Sequence, residues 1–140
     1  MESKLVRDWM TTDPIIISSN STLPEAYWLM VNNKIRRLPV VDHDSLVGIV
    51  TLEDLRGKIP TTLIGMDPVR ASDMLVKLPV RHVMSENPKT VPAGATLVEA
   101  ARLMLEFKIS ALPVMDGAKL VGIITESDIF RALAKQLESS

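Results

Sequence analysis

LVGIVTLEDL at residues 46–55 returns as LVGIITESDI at residues 120–129. Gly48, Thr51 and Asp54 come back as Gly122, Thr125 and Asp128. A shift of 74 residues aligns far more than this decapeptide. Between 6–55 and 80–129 there are 22 identities in 50 positions, without a gap. Val6, Met10 and Pro14 meet Val80, Met84 and Pro88, and Leu38, Pro39 and Val40 meet Leu112, Pro113 and Val114. A match of this extent is a duplication. Two copies are too few for a solenoid. They predict two halves related by a pseudo-twofold axis, with like faces together.

Each half reads the same way. A short extended piece follows the proline, at 15–18 and 90–91. Thr22-x-x-Glu25 and Thr96-x-x-Glu99 then announce a helix through a capping box. Leu23, Ala26 and Met30, and Leu97, Ala100 and Met104, recur on one helical face. A β-hairpin follows, with strands at 38–41 and 46–50, and at 112–115 and 120–124. A second helix starts after Thr51 or Thr125, short in the first half and reaching about Gln136 in the second. The hairpin strands are apolar at nearly every position, so helices must cover both faces of their sheets. The fold class is therefore α+β with mixed sheets, built from two β-α-β-β-α repeats. Repeat 1 is assigned to residues 1–59, a connector with a short helix at 69–77 to residues 60–79, and repeat 2 to residues 80–140. The connector is longer than two tight halves require, and reads either as a packed linker or as a functional loop.

Charge and composition exclude several classes. Net charge is −1, with basic and acidic residues well mixed, so broad nucleic-acid binding is not expected. There is no cysteine, hence no disulfide or thiolate chemistry. The first ten residues are too charged for a secretory signal, and no apolar run approaches the roughly 18 residues of a membrane span. A cytoplasmic protein with no membrane partner is the expectation. No nucleophile–base pair, zinc set or Gly-rich phosphate loop stands in the chain, so no enzyme activity, metal or required cofactor is expected. Asp42-His43-Asp44 reads as a hairpin turn rather than a metal site.

Three stretches carry a resemblance to a known family. They are Val83-Met84-Ser85-x-x-Pro88, Lys108-Ile109-Ser110-Ala111-Leu112-Pro113-Val114, and Leu120-Val121-Gly122-Ile123-Ile124-Thr125-x-x-Asp128. The first half repeats them at Trp9-Met10-Thr11-x-x-Pro14, 34–40 and 46–54. The sequence resembles a tandem pair of CBS domains, a Bateman module, of the small stand-alone bacterial or archaeal kind. The resemblance implies a compact pair with clefts between its repeats. It also implies an adenosyl ligand, AMP, ADP, ATP or S-adenosylmethionine, and a homodimer that reports binding to a regulated protein partner. A structural dimerisation scaffold with empty clefts is the alternative.

The paired Thr-x-x-Asp has two readings. In one, Thr51 and Thr125 cap the second helix while Asp54 and Asp128 complement its dipole, although Asp is short for the backward reach of a capping box. In the other, the Asp accepts from a ribose diol, the role the resemblance implies, and the helix start or the Thr hydroxyl meets phosphate. The resemblance further implies base-lining residues at Ile16, Ile17, Arg37, Leu38 and Pro39, and at Thr90, Val91, Ala111, Leu112 and Pro113. Arg36 and Arg37 stand where the second half has Ser110 and Ala111. They read either as a phosphate fork or as solvated cations at a helix end. Arg7, Arg81, Lys34, Lys108 and Arg131 are weaker phosphate candidates, each read first as a surface charge. Trp9 and Trp28 are assigned either to a dimer surface or to the interior.

Overall fold

The computed structural model describes residues 3–57 and 65–139. Residues 58–64, which include the start of the expected connector, lie outside them. In chain order the elements are β1 (Thr11–Thr12), α1 (Leu23–Asn32), β2 (Arg37–Asp42), β3 (Ser45–Thr51), α2 (Leu52–Gly57), α3 (Pro68–Lys77), β4 (Ser85–Glu86), β5 (Val91–Pro92), α4 (Leu97–Phe107), β6 (Ala111–Asp116), β7 (Lys119–Thr125) and α5 (Glu126–Glu138). Helix, hairpin and helix occur twice, as the repeat predicts, and α3 falls where the connector helix was expected.

Local chemistry sets the boundaries. Thr22 Oγ1 accepts from the Glu25 N–H at 3.4 Å, and Glu25 Oε2 accepts from the Thr22 N–H at 3.3 Å, which starts α1. Thr96 Oγ1 accepts from the Glu99 N–H at 3.1 Å and starts α4. After each helix, Lys34 and Lys108 both adopt φ 54°, a left-handed residue that ends the helical run. The strands are longer than expected, because Asp42 pairs with Ser45 and Asp116 with Lys119. Only two residues are left for each turn. His43 and Asp44 have φ of 47° and 64°, as the twist of a two-residue hairpin demands. Both hairpins carry the same register shift, between Val40 and Val41 and between Val114 and Met115.

The chain divides into two compact units, Ile15–Asn87 and Met1–Pro14 with Pro88–Ser140. Each unit holds the helix and hairpin of one repeat together with the lead-in of the other. In the 15–87 unit, Ile17 runs parallel to Val40 of β2, β2 pairs antiparallel with β3, and β3 with β4. In the other unit the strand order is β1-β7-β6-β5, with β5 parallel to β6 and the remaining pairs antiparallel. The two arrangements are equivalent residue by residue. Lead-ins also satisfy helix starts. The Leu23 N–H donates to Leu78 O at 3.1 Å, and the Leu97 N–H donates to Lys4 O at 2.8 Å.

Each unit has its own core. Ile17, Ala26, Met30, Leu38, Val40, Val50, Val80 and Val83 form one. Val6, Val91, Ala100, Met104, Leu112, Val114 and Ile124 form the other. The lead-ins explain why each hairpin carries a glycine, at Gly48 and Gly122. A Cβ on Gly48 would lie 2.7 Å from Met84 Sδ and 2.8 Å from Ser85 O. On Gly122 it would lie 2.5 Å from Met10 Sδ and 2.7 Å from Thr11 O. The lead-in crosses directly over the glycine, which leaves no room for a side chain. Trp9 is half-buried against the second core and its indole N–H donates to Ser3 O at 2.9 Å, whereas Trp28 is exposed on α1.

Candidate functional site

Two Thr-x-x-Asp corners stand where a hairpin ends and a helix begins. At the first, the Thr51 N–H donates to Asp54 Oδ2 at 2.9 Å and the Asp54 N–H donates to Thr51 Oγ1 at 3.1 Å. At the second, the Thr125 N–H donates to Asp128 Oδ2 at 2.9 Å and the Asp128 N–H to Thr125 Oγ1 at 3.4 Å. Aspartate closes the capping box after all. Thr125 is extended, with φ −121° and ψ 167°, and this turns its N–H toward the carboxylate one turn ahead. The first helical N–H is occupied too. Leu52 donates to Arg36 O at 2.8 Å and Glu126 to Ser110 O at 3.0 Å. Two of the first three helical N–H groups are thus engaged at each corner.

The carboxylates differ in their surroundings. Asp128 is only 3% exposed. Its Oδ2 also accepts from the Thr125 hydroxyl at 3.2 Å, and its Oδ1 accepts from Arg131 Nη2. Asp54 is half-buried. In sequence Arg131 is one of five weaker phosphate candidates. The signal that marks it is its spacing, since residues three apart on a helix share a face.

The structure gathers each set of expected site residues within one unit. Arg37 faces Thr51 across the hairpin, followed by Leu38 with Val50 and Pro39 with Ile49. Ala111 faces Thr125, followed by Leu112 with Ile124 and Pro113 with Ile123. The Ile17 N–H donates to Pro39 O at 3.1 Å, and Val91 pairs with Val114. Ile17, Leu38, Pro39, Val91, Ala111, Leu112 and Pro113 are buried, whereas Ile16, Arg36 and Thr90 are exposed. Leu38 and Leu112 are core members, so their side chains already have apolar partners. Arg36 Nη2 donates to Glu53 Oε1 at 3.2 Å in a pair open to solvent. Two surface grooves, of about 570 Å³ beside α4 and α5 and about 560 Å³ between Ile16 and Trp28, contain none of the four corner residues.

A model of the CBS domain matches residues 6–61 and again residues 80–135. The chain belongs to the CBS-domain family. Each CBS copy contains one of the two aligned 50-residue stretches, 6–55 and 80–129. A CBS domain-containing protein of Dictyostelium discoideum is 37% identical over 139 residues, covering 96% of this chain and 94% of that protein. Among solved structures, CBSX2, known from Arabidopsis thaliana and here in complex with AMP, is 33% identical with a TM-score of 0.78, covering 97% of this chain and 99% of that one. The CBS domain pair of MJ0100, in complex with 5'-methylthioadenosine and S-adenosyl-L-methionine, is 30% identical with a TM-score of 0.76, covering 94% of this chain and 97% of that one. Matched enzymes are larger proteins in which the resemblance occupies a quarter or less of the length.

Outside the two corners of this CBS-domain protein, a further polar cluster lies at Asp42, one of the expected turn residues. Asp42 accepts from the Ser19 N–H at 3.0 Å, from the Ser19 hydroxyl, and from the Ser18 hydroxyl at 3.3 Å. The Ser19 hydroxyl and N–H, chiefly, hold its carboxyl below the ordinary value of 3.8. The cluster satisfies the buried Ser19. Among the described residues no group of three or more His, Cys, Asp or Glu is placed to hold a metal ion, and no helix is long and apolar enough to cross a membrane.

Proposed function

We propose that this CBS pair is a regulatory sensor of an adenosyl compound, with Asp54 and Asp128 each receiving a ribose diol. The observation that carries this reading is the doubled corner. In both copies a backbone N–H at 2.9 Å fixes the Asp carboxylate, at the mouth of a hairpin whose opposite strand carries Arg37-Leu38-Pro39 or Ala111-Leu112-Pro113. A pre-oriented carboxylate suits two converging hydroxyl donors. Relatives solved with AMP, or with 5'-methylthioadenosine and S-adenosylmethionine, support the ligand class. With the leucines and valines buried, base recognition falls to backbone groups and to the exposed Ile16 and Thr90. Arg36 and Arg37 supply a cationic side to the first corner that Ser110 and Ala111 do not supply to the second. Binding acts on a partner protein by favouring one conformation, in the cytoplasm and without catalysis; a ligand shifts the balance only by its differential affinity.

The test is a thermal-shift panel of AMP, ADP, ATP, S-adenosylmethionine and 5'-methylthioadenosine. A binder at 100 times its dissociation constant adds about 2.7 kcal/mol of stability. Asp54→Asn and Asp128→Asn keep a capping acceptor and lose the charge, so each is expected to fold and to lose binding at its own corner. Absence of a shift with every compound overturns the reading.

A scaffold that dimerises with its corners empty is the second reading. Two observations favour it. The corners are fully explained as helix caps, and α4 and α5 expose Val98, Leu105, Phe130, Leu133 and Leu137. The same helix faces suit a homodimer under either reading. A dimer in solution that Phe130→Glu converts to monomer, combined with a silent ligand panel, selects the scaffold.

A further inference from the structure

We propose that Arg131 makes the Asp128 corner selective for a phosphorylated nucleoside, by exchanging the Asp128 carboxylate for the ligand's phosphate. This rests on the adenosyl reading above. Each carboxylate oxygen offers two lone pairs. Asp128 Oδ2 has both in use, by the N–H and the hydroxyl of Thr125 at 2.9 and 3.2 Å. Oδ1 is engaged by Arg131, and the Asp128 side chain is almost wholly covered. A ribose diol brings two O–H donors and needs Oδ1. It therefore has to displace the guanidinium.

Displacement has a consequence for the arginine. Its side chain is 62% exposed, so it gives up little packing on moving away, but it gives up a charged acceptor. An uncharged nucleoside takes the carboxylate and returns nothing to Arg131. A sulfonium adds a second cation beside it. A nucleoside phosphate restores an anion within reach of the released fork, and guanidinium–phosphate pairing is among the stronger polar contacts. Two of the first three helical N–H groups, those of Glu126 and Asp128, already donate to Ser110 O and Thr125 Oγ1, so the helix start offers a phosphate less than its full set of donors. An arginine at this helical position belongs to one copy. The residue of the first repeat that corresponds to Arg131 is Gly57, which has no side chain, and Ser127 corresponds to Glu53, the partner of Arg36.

Calorimetric titration of the full chain carrying Asp54→Asn isolates the Asp128 corner. With Arg131 present, AMP is expected to bind about tenfold or more tighter than adenosine, the scale of one charge-assisted hydrogen bond. Arg131→Met is expected to weaken AMP and tighten adenosine, bringing the two within about threefold. Arg131→Lys keeps a point charge and is expected to retain part of the preference. Two results overturn the inference while leaving the adenosyl reading intact. One is an unchanged AMP-to-adenosine ratio in Arg131→Met. The other is an equal loss for both compounds, which makes Arg131 a brace for Asp128. Binding of neither compound by any of the proteins overturns the adenosyl reading and this inference with it.

Discussion

At residues 51–54 and 125–128 the two repeats build the same corner, with Thr N–H to Asp Oδ2 at 2.9 Å in both. Around that shared frame the charges are dealt differently. Arg36, Arg37, Glu53 and Gly57 in the first copy stand against Ser110, Ala111, Ser127 and Arg131 in the second. The residues the copies share are those that pack or cap: Leu38 and Leu112 in the cores, Gly48 and Gly122 under a crossing strand, the threonines at helix starts. The charged residues in which they differ, Arg36, Glu53 and Arg131, are exposed, where a change costs little stability. Duplication thus keeps the scaffold and frees the rim, and the two corners are equal as folds and unequal in charge.

Substitutions at matched positions test the equality. Leu38→Ala and Leu112→Ala are each expected to cost about 2–5 kcal/mol in urea unfolding, since both side chains are wholly buried. If either costs less than about 1 kcal/mol, the scale of a surface change, the cores are not equivalent. Gly48→Ala and Gly122→Ala come next, at about 1–3 kcal/mol each. The methionine tails can turn aside, but the carbonyls of Ser85 and Thr11 belong to paired strands. A neutral result at one glycine would mean that its lead-in yields where its counterpart does not.

The smallest expected effect sharpens the difference. Ser19 and Asp42 form a pair in the first copy that Ala93 and Asp116 do not form in the second. Hydrogen bonding lowers the folded-state pKa of Asp42 from 3.8, so its contribution is fully present above that value and is lost as pH falls through the lowered one. Ser19→Ala is therefore expected to lower stability at neutral pH, with the gap to the unmodified chain closing below about pH 4. A gap that persists at low pH would assign the effect to packing.

Much of this was legible in the residues. The 74-residue period, the Thr-x-x-Glu helix starts and the apolar hairpins each declare themselves within ten or twelve residues, because caps, turns and alternation are local. Less legible was the reach of Asp54 and Asp128. Their short side chains argued against a closed capping box, and the extended threonine before each helix made it possible. Nor does the pattern show that Leu38, Leu112 and Val91, expected beside a ligand, are also core members.

The sequence by itself determined that the chain is two copies of one α+β unit with a Thr–Asp corner at the end of each hairpin. Only the tertiary structure decided that Met10 crosses Gly122 and Met84 crosses Gly48, so that each lead-in completes the other repeat's sheet. The reason is degeneracy. Two copies offer the same apolar pattern and the same register, and β1 and β4 are two exposed residues each, so no local preference tells a lead-in which hairpin to join. The placing of Arg131 on Asp128 belongs to the same class. Helical spacing permits the contact, and the buried carboxylate makes it worth forming.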